Sequence, residues 1–540
     1  MVELMTGAMA SGSGKTAVTC ALLAALARRG LSPCAFKCGP DYIDPMFHRS
    51  VLGVESHNLD LFLCGEGRLR ALYGRYAAGH GAAVCEGVMG FYDGVGGTDR
   101  ASAWQVARTL GLPVLLVLRP KGASLTLAAQ VQGMLRFRQP SQIAGLFLND
   151  CSPGLYRSLA PLLERETGLP VLGYLPHRAE AAFESRHLGL LTAGEICDLA
   201  QRIDALADQL EQTADLEGLT ALFARPWREA PPPPPAVSGK ARIAVARDEA
   251  FCFVYEETLD ALRDAGAELV EFSPLKDREL PEETGGLYLP GGYPELHAEA
   301  LAANGAMRRA VRAAVEAGLP TVAECGGFLY LGQSLAAPGG RPCPMAGVLP
   351  GRGFPQERLV RFGYATLTAK GDSLLFRKGE QAPVHEFHYW DSTDNGDAFA
   401  AEKPVTGKGW ACGFASPSLY AAFPHLYFAG KPALAARFVQ AAARYQKDSG
   451  KGRDRDDRPG TRAEAAAGRR HRGGRRGPPG RQAPVGRLRQ APGQPGPAGD
   501  RGGAAGGPHR QPGSVPYPPG PAGALRGQRG GGPGGRPVGQ

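Results

Sequence analysis

Short apolar runs recur along the first 180 residues. Residues 2–6, 82–85, 113–118, 143–148 and 170–175 are each only a few residues long and rich in Val, Leu, Ile and Ala, the length and composition of buried strands. Helical stretches separate them, beginning with residues 17–29, which Gly30 brings to a stop. Strand and helix in alternation predict a doubly wound parallel sheet. Two more runs, 286–289 and 321–323, belong to a second α/β region. Between the regions lie five consecutive prolines, Pro231–Pro235, a stiff extended spacer. The expected organisation is a first domain over 1–230, a linker over 231–240, a second domain over 241–445 and a low-complexity segment over 446–540.

The loops at the strand ends carry the chemistry. After the first strand comes Gly7-Ala-Met-Ala-Ser-Gly-Ser-Gly-Lys-Thr16. Glycines between a strand and a helix let backbone N–H groups wrap a phosphate at the helix N-terminus. Gly12, Ser13 and Gly14 are the cradle. Lys15 would neutralise β/γ oxygens, and the Thr16 hydroxyl would hold Mg²⁺. The strict spacing of a P-loop asks for Gly where Met9 stands. A second loop, Gly39-Pro-Asp-Tyr-Ile-Asp-Pro45, places Asp41 and Asp44 in a rigid acidic turn, a place for Mg²⁺ opposite a phosphate loop. Glu86 ends the run at 82–85, where open parallel sheets hold their ligands.

In the second region, Thr321-Val-Ala-Glu-Cys-Gly-Gly327 reads as strand, turn and helix. Such an elbow holds its central side chain, here Cys325, out toward substrate. A helix N-terminus close behind a thiol is expected to lower its pKa. Leu289-Pro-Gly-Gly-Tyr-Pro-Glu295 follows another strand. Backbone N–H groups near Gly292 and Gly326 would hold an oxyanion, each worth about 3 kcal/mol in acyl transfer. His425, about a hundred residues after the cysteine, is the expected base. His385 and His388 could suggest a metal pair, but no further ligands complete a set of four, so they read as structural or interface residues.

Strand–Gly-Gly, cysteine elbow and late histidine, in that order, resemble the class I glutamine amidotransferase domain. That superfamily carries Glu two residues after the histidine; this chain has Tyr427. The departure points to the cobyrinic/cobyric acid synthase branch, which lacks that Glu. More specifically, Gly39–Pro45 with His48, Asn58-Leu-Asp60, Glu86-Gly-Val-Met-Gly90, Arg186–Leu190, Ala246–Phe253 and Phe272–Leu275 look like the cobyrinic acid a,c-diamide synthase family over roughly residues 1–440. The resemblance implies a dethiobiotin-synthetase-like first domain that activates a carboxylate with ATP and Mg²⁺. It implies a second domain that releases ammonia from glutamine through Cys325 and His425. It also implies a corrinoid polycarboxylate as acceptor, cobyrinic or hydrogenobyrinic acid, amidated at its a and c acetates. Asp41, Tyr42, Asp44 and Asp93 carry over as substrate contacts, and Thr16, Asp41 and Glu86 as metal contacts. Asn149 belongs to the pattern without an evident mechanism. A nickel-sirohydrochlorin a,c-diamide synthase is a close rival. Cobyric acid synthase fits the acidic loop less well. A partitioning-type ATPase switch, the rival from another class, has no use for the cysteine elbow.

Composition refines this picture. The chain has 540 residues and a formal net charge of +9, but the basicity is local. From Lys447 onward there are 19 Lys and Arg against 6 Asp and Glu, leaving 42 against 46 in the remainder. The basic segment has no Ile, Phe or Cys and abundant Gly, Pro and Arg, too little apolar surface to fold. It is expected to be disordered, a non-specific partner for nucleic acid at most, or the out-of-frame translation of GC-rich DNA. Eleven cysteines without a Cys-x-x-Cys pair fit reduced thiols in a cytoplasm. No apolar run reaches membrane-spanning length. A homodimer is left open.

Overall fold

Residues Val2–Ala8 form the central strand β1, buried along its whole length. Parallel strands pair with both its edges, and helix side chains pack on both its faces, so neither face meets water, which is why the runs are continuously apolar rather than alternating. A computed structural model describes residues 1–177, 193–227 and 241–456. The Pro-rich linker, Arg186–Leu190 and the basic segment beyond 456 lie outside the described residues.

Around β1 stand β2 (Pro33–Cys38), β3 (Ser56–Leu59), β4 (Ala82–Glu86), β5 (Val114–Leu118), β6 (Ile143–Asn149) and β7 (Val171–Leu175). Their order is β3-β2-β4-β1-β5-β6-β7, parallel throughout. Helices α1 (Lys15–Arg28), α2 (Ile43–Leu52), α3 (Leu61–Ala77), α4 (Ala103–Leu110), α5 (Leu125–Phe137), α6 (Pro153–Thr167), α7 (Ala193–Thr213) and α8 (Leu216–Leu222) accompany it. The C-terminal ends of β1, β2 and β4 therefore lie side by side, carrying the loops that open at Gly7, Gly39 and Glu86.

The second sheet runs in the order β18-β19-β11-β10-β8-β9. Its strands are β8 (Ala241–Ala246), β9 (Ala267–Phe272), β10 (Gly286–Leu289), β11 (Thr321–Glu324), β18 (Phe414–Ser416) and β19 (Leu419–Ala422). They are parallel except for the β18–β19 hairpin. Helices α9 (Glu256–Asp264), α10 (Ala298–Ala303), α11 (Gly305–Glu316) and α12 (Gly326–Leu331) connect them.

A third sheet is not anticipated by the apolar pattern. It comprises β12 (Ser334–Ala336), β13 (Pro342–Pro344), the long hairpin of β14 (Arg352–Ala369) and β15 (Gln381–Ser392), β16 (Phe399–Glu402), β17 (Gly409–Cys412) and β20 (His425–Leu426). Its strands carry Arg, Glu and His at many positions, and much of β14 is only partly buried. The last helix, α13, spans Pro432–Asp456, so the stretch read as tail from 446 begins helically. Among the described residues no helix is long and apolar enough to cross a membrane.

The two α/β halves share one core: Tyr255, Tyr427 and Ala429 are buried in the same cluster as Phe36, Leu59 and Tyr73. Buried polar groups join them as well. Glu257 Oε1 accepts from the Asn58 N–H at 2.8 Å and lies 2.9 Å from His57 Nδ1. The Tyr364 hydroxyl donates to Asp60 at 2.7 Å.

Candidate active site

At the first loop, Gly12 and Gly14 adopt φ of 77° and 91°, left-handed values that leave the backbone N–H groups free to turn inward. Gly14 caps α1. A Cβ there would lie 1.9 Å from Asn149 Nδ2. Asn149 in turn donates to the Ser13 carbonyl at 3.1 Å, which gives that residue a role: it clamps the phosphate loop to the end of β6. The Thr16 hydroxyl donates to Glu86 at 2.7 Å, and Lys15 Nζ donates to the Met89 carbonyl at 2.6 Å. Burial and the neighbouring Lys37 push the Lys15 pKa down to about 8, against the pull of Glu86, Asp44 and Asp93. Anionic oxygens arriving in this loop would raise it again by favouring the charged form.

Asp41, Asp44 and Glu86 do meet, as the sequence suggests. Lys37, which the motif reading passes over, meets them too. Its ammonium bonds Glu86 at 2.8 Å, touches Asp44 and stands 3.9 Å from Asp41. Burial works against the Lys37 charge, but the three carboxylates outweigh it and raise its pKa. Asp44 is lowered, because Lys37 overcomes its burial. Asp41 and Glu86 are raised by burial and by Asp44, Asp41 to about 6. The pattern has a simple cause: one ammonium cannot neutralise three carboxylates, of which Asp44 and Glu86 are buried and Asp41 is partly exposed, and Asp44 has the best contact. Asp41 Oδ1 also accepts from the Ile43 and Asp44 N–H groups, ordering the start of α2. Asp93 accepts from the Gly90 N–H at 3.1 Å and so holds the turn beyond Glu86.

Cys325 sits at the tip between β11 and α12 with φ 47° and ψ −99°, a conformation that costs a non-glycine residue on the order of 1–3 kcal/mol. The elbow is thus strained. Its thiol, however, does not behave as a helix-terminal thiol should. Burial pushes the Cys325 pKa up, and Glu295, Glu386 and Glu324 push the same way against one hydrogen bond from Gly326. The six residues of α12 cannot offset that desolvation, so the expected lowering is corrected: the resting thiol is neutral. Burial also lifts Glu295 to about 7.

Backbone bonds bring the histidine to the elbow. The Cys325 N–H donates to the Ala422 carbonyl at 2.9 Å. Three residues later, His425 begins β20, which pairs with β15. Its ring packs on Gly291, where a Cβ would lie 2.5 Å from Cε1. A Cβ on Gly326 would lie 3.1 Å from the Gly292 nitrogen. Cys325, His425, Gly292 and Gly326 therefore converge. Tyr427 points elsewhere, with its hydroxyl on the Asn58 carbonyl at 3.2 Å. His388 stacks on Phe423 at 3.9 Å and bonds the Trp390 carbonyl, a structural role.

A cavity of about 700 Å³ lies between the halves, lined by Asp41, Tyr42 and Met89 from the first and by His425, His385 and Phe387 from the second; Cys325 and Gly12–Thr16 are not in its lining. Tyr42 links them physically: its ring stacks on Phe253 and stands 5.3 Å from that of His425.

Comparison with known proteins agrees with this division. Residues 4–190 match the CobQ/CobB/MinD/ParA nucleotide binding domain, and residues 242–433 the CobB/CobQ-like glutamine amidotransferase domain. The chain is 40% identical to a cobyrinate a,c-diamide synthase of Salmonella typhimurium over 446 residues, covering 80% of this chain and 96% of that one. It is 37% identical to one of Clostridium acetobutylicum over 436 residues, 80% of this chain and 98% of that one.

Proposed function

The chain belongs to the cobyrinate a,c-diamide synthase family, and we propose how its own residues divide that family's reaction. The enzyme is a glutamine-hydrolysing amide ligase that uses ATP to amidate cobyrinate in cobalamin biosynthesis. Residues 1–230 activate the carboxylate and residues 241–445 supply ammonia. The cytoplasm is the expected compartment.

In the ammonia half, Cys325 Sγ attacks the side-chain amide carbon of glutamine as its proton passes to His425. The oxyanion forms beside the N–H groups of Gly292 and Gly326. His425 returns the proton to the departing nitrogen, ammonia leaves, and water cleaves the thioester to glutamate. The raised thiol pKa leaves the resting thiol protonated, so His425 takes that proton as the attack proceeds.

In the activating half, the acceptor carboxylate takes the γ-phosphoryl group of ATP. Ammonia then attacks the acyl carbon and phosphate leaves. Gly12–Thr16 hold the triphosphate and Lys15 balances the charge that spreads over the transferring group. The orphaned, buried Oε2 of Glu86 and the adjacent Thr16 hydroxyl suit Mg²⁺, which takes few protein ligands and completes its shell with phosphate and water. When bound there it would neutralise phosphate charge. Asp41 is the next candidate ligand, since Asp44 is engaged by Lys37.

The observation that carries this reading is the shared cavity. His425 and Asp41 open on the same space, so ammonia released at one can pass through it to an acyl phosphate formed at the other. Met89, Phe362, Phe387 and Val405 are exposed apolar side chains, and all four line it. Such a surface suits a broad apolar ring system, with Asp41 and Tyr42 at its reacting edge; Asp44 and Asp93, the other two expected contacts, are not in the cavity's lining.

The test is incubation with ATP, Mg²⁺, glutamine and, in parallel, cobyrinate, hydrogenobyrinate or nickel-sirohydrochlorin. Cobyrinate should give the diamide by mass. A faster diamidation of nickel-sirohydrochlorin would contradict the substrate assignment.

A further inference from the structure

We infer that Glu324, the residue before the nucleophile, is the positioning carboxylate of His425, standing in for the acid that Tyr427 displaces. This rests on the reading of Cys325 and His425 as the glutaminase pair. Glu324 and His425 are both almost fully buried, each 2% exposed. Glu324 Oε2 faces His425 Nδ1 at 3.7 Å, and that nitrogen has no hydrogen-bond partner among the described residues. Both carboxylate oxygens are aimed by donors. Tyr288 donates to Oε2 at 3.1 Å, and the N–H of Leu426, next to the histidine, donates to Oε1 at 3.0 Å. Tyr288 lies on β10, Glu324 on β11 and His425 on β20. The strand that presents the cysteine thus also presents the acid.

The chemistry needs such a group. For His425 to accept the Sγ proton at Nε2, the neutral ring must carry its proton on Nδ1. A carboxylate facing Nδ1 selects that tautomer and stabilises the imidazolium formed as the C–S bond forms. The 3.7 Å separation is longer than a hydrogen bond, as is common before substrate tightens a site. Glu324 touches no reacting atom and acts only through the imidazole.

Glutaminase kinetics of Glu324→Gln, Glu324→Asp and His425→Ala test this, with ammonia-dependent synthesis as the control for folding. Glu324→Gln keeps the oxygen that accepts from Leu426 but loses the charge. It should lower glutaminase kcat about a hundredfold, with glutamine KM within about twofold and ammonia-dependent synthesis retained. Glu324→Asp, which restores the charge, should recover at least about tenfold of that loss. A purely structural Glu324 would tolerate Gln better than Asp, so a Gln variant within about threefold of the unaltered kcat overturns the inference. So does an Asp variant no better than Gln. If Glu324→Gln does not fold, Tyr288→Phe decides: loss of the donor to Oε2 should cost about threefold or more in kcat at constant KM, and no loss overturns the proposal. If His425→Ala keeps its glutaminase activity, the underlying assignment of the base has failed instead.

Discussion

Two residues show how far local environment departs from motif. The cysteine elbow was legible from Glu-Cys-Gly-Gly after an apolar run, but its electrostatics were not, because burial and the carboxylates of Glu295 and Glu386 arrive from distant segments. The strain at Cys325 has a measurable consequence. Alanine-to-glycine changes usually cost about 1 kcal/mol, but at φ 47° glycine relieves strain. Cys325→Gly should therefore melt no lower than Cys325→Ala, and a clearly lower melting temperature would contradict a strained elbow. Glu386 on β15 offers a pH test. Burial pushes its pKa up to about 8, with Arg361 opposing. Arg361 is 3.6 Å away but commits Nη2 to Asp391 at 2.8 Å, so the neutral carboxyl persists at neutral pH. An unfolded glutamic acid ionises near about 4.3. The folded state thus holds the extra proton between these values, and stability falls as pH rises through that window. In thermal melts, Glu386→Gln should gain on the unaltered protein progressively from about pH 5 to about pH 8. A difference that does not change with pH would mean that Glu386 does not titrate as assigned.

Elements were legible where burial is apolar and obscure where it is polar. The strands at 2–6, 82–85, 113–118, 143–148 and 170–175 recur as β1, β4, β5, β6 and β7. β3 is not an apolar run because Ser56, His57 and Asn58 are polar, yet all three are buried: Ser56 pairs with His48, His57 with Glu257 and Glu55, and Asn58 donates to the Gly39 and Asp41 carbonyls. The β14–β15 hairpin, with its charged and partly exposed faces, was hidden for the same reason. The phosphate loop was legible despite Met9, because Gly-x-Gly-Lys-Thr between strand and helix carries the required backbone freedom. Its clamp was not, since nothing local ties Asn149 to Ser13. Gly14→Ala combines a left-handed φ with a 1.9 Å approach to Asn149. It should abolish synthesis from glutamine and from ammonia alike while leaving glutaminase activity measurable. Retained ammonia-dependent synthesis would show that the loop tolerates displacement and is not the ATP site. In the other region, His425→Ala should lose glutaminase activity and His388→Ala should keep most of it; the reverse ranking would identify a different base.

At the scale of the whole molecule, the sequence indicates two α/β halves, and the structure adds the cavity they share. The joint between them was invisible in advance because Glu257, Tyr364 and Tyr427 reach residues 200 or more positions away. The α13 helix reaches Asp456, so a truncation that leaves this helix whole begins after 456. Removing 457–540 should leave diamide synthesis within about twofold, because every group assigned a role lies before that point. A tenfold slower, folded truncation would assign the segment a function. The central claim is the division of labour across the cavity, and Cys325→Ser tests it most directly when assayed with cobyrinate, ATP and Mg²⁺, once with glutamine and once with ammonium. Cys325→Ser should give no diamide from glutamine and near-normal diamide from ammonium, read by product mass. Loss of both activities in a folded Cys325→Ser protein, or full activity with glutamine, would contradict it.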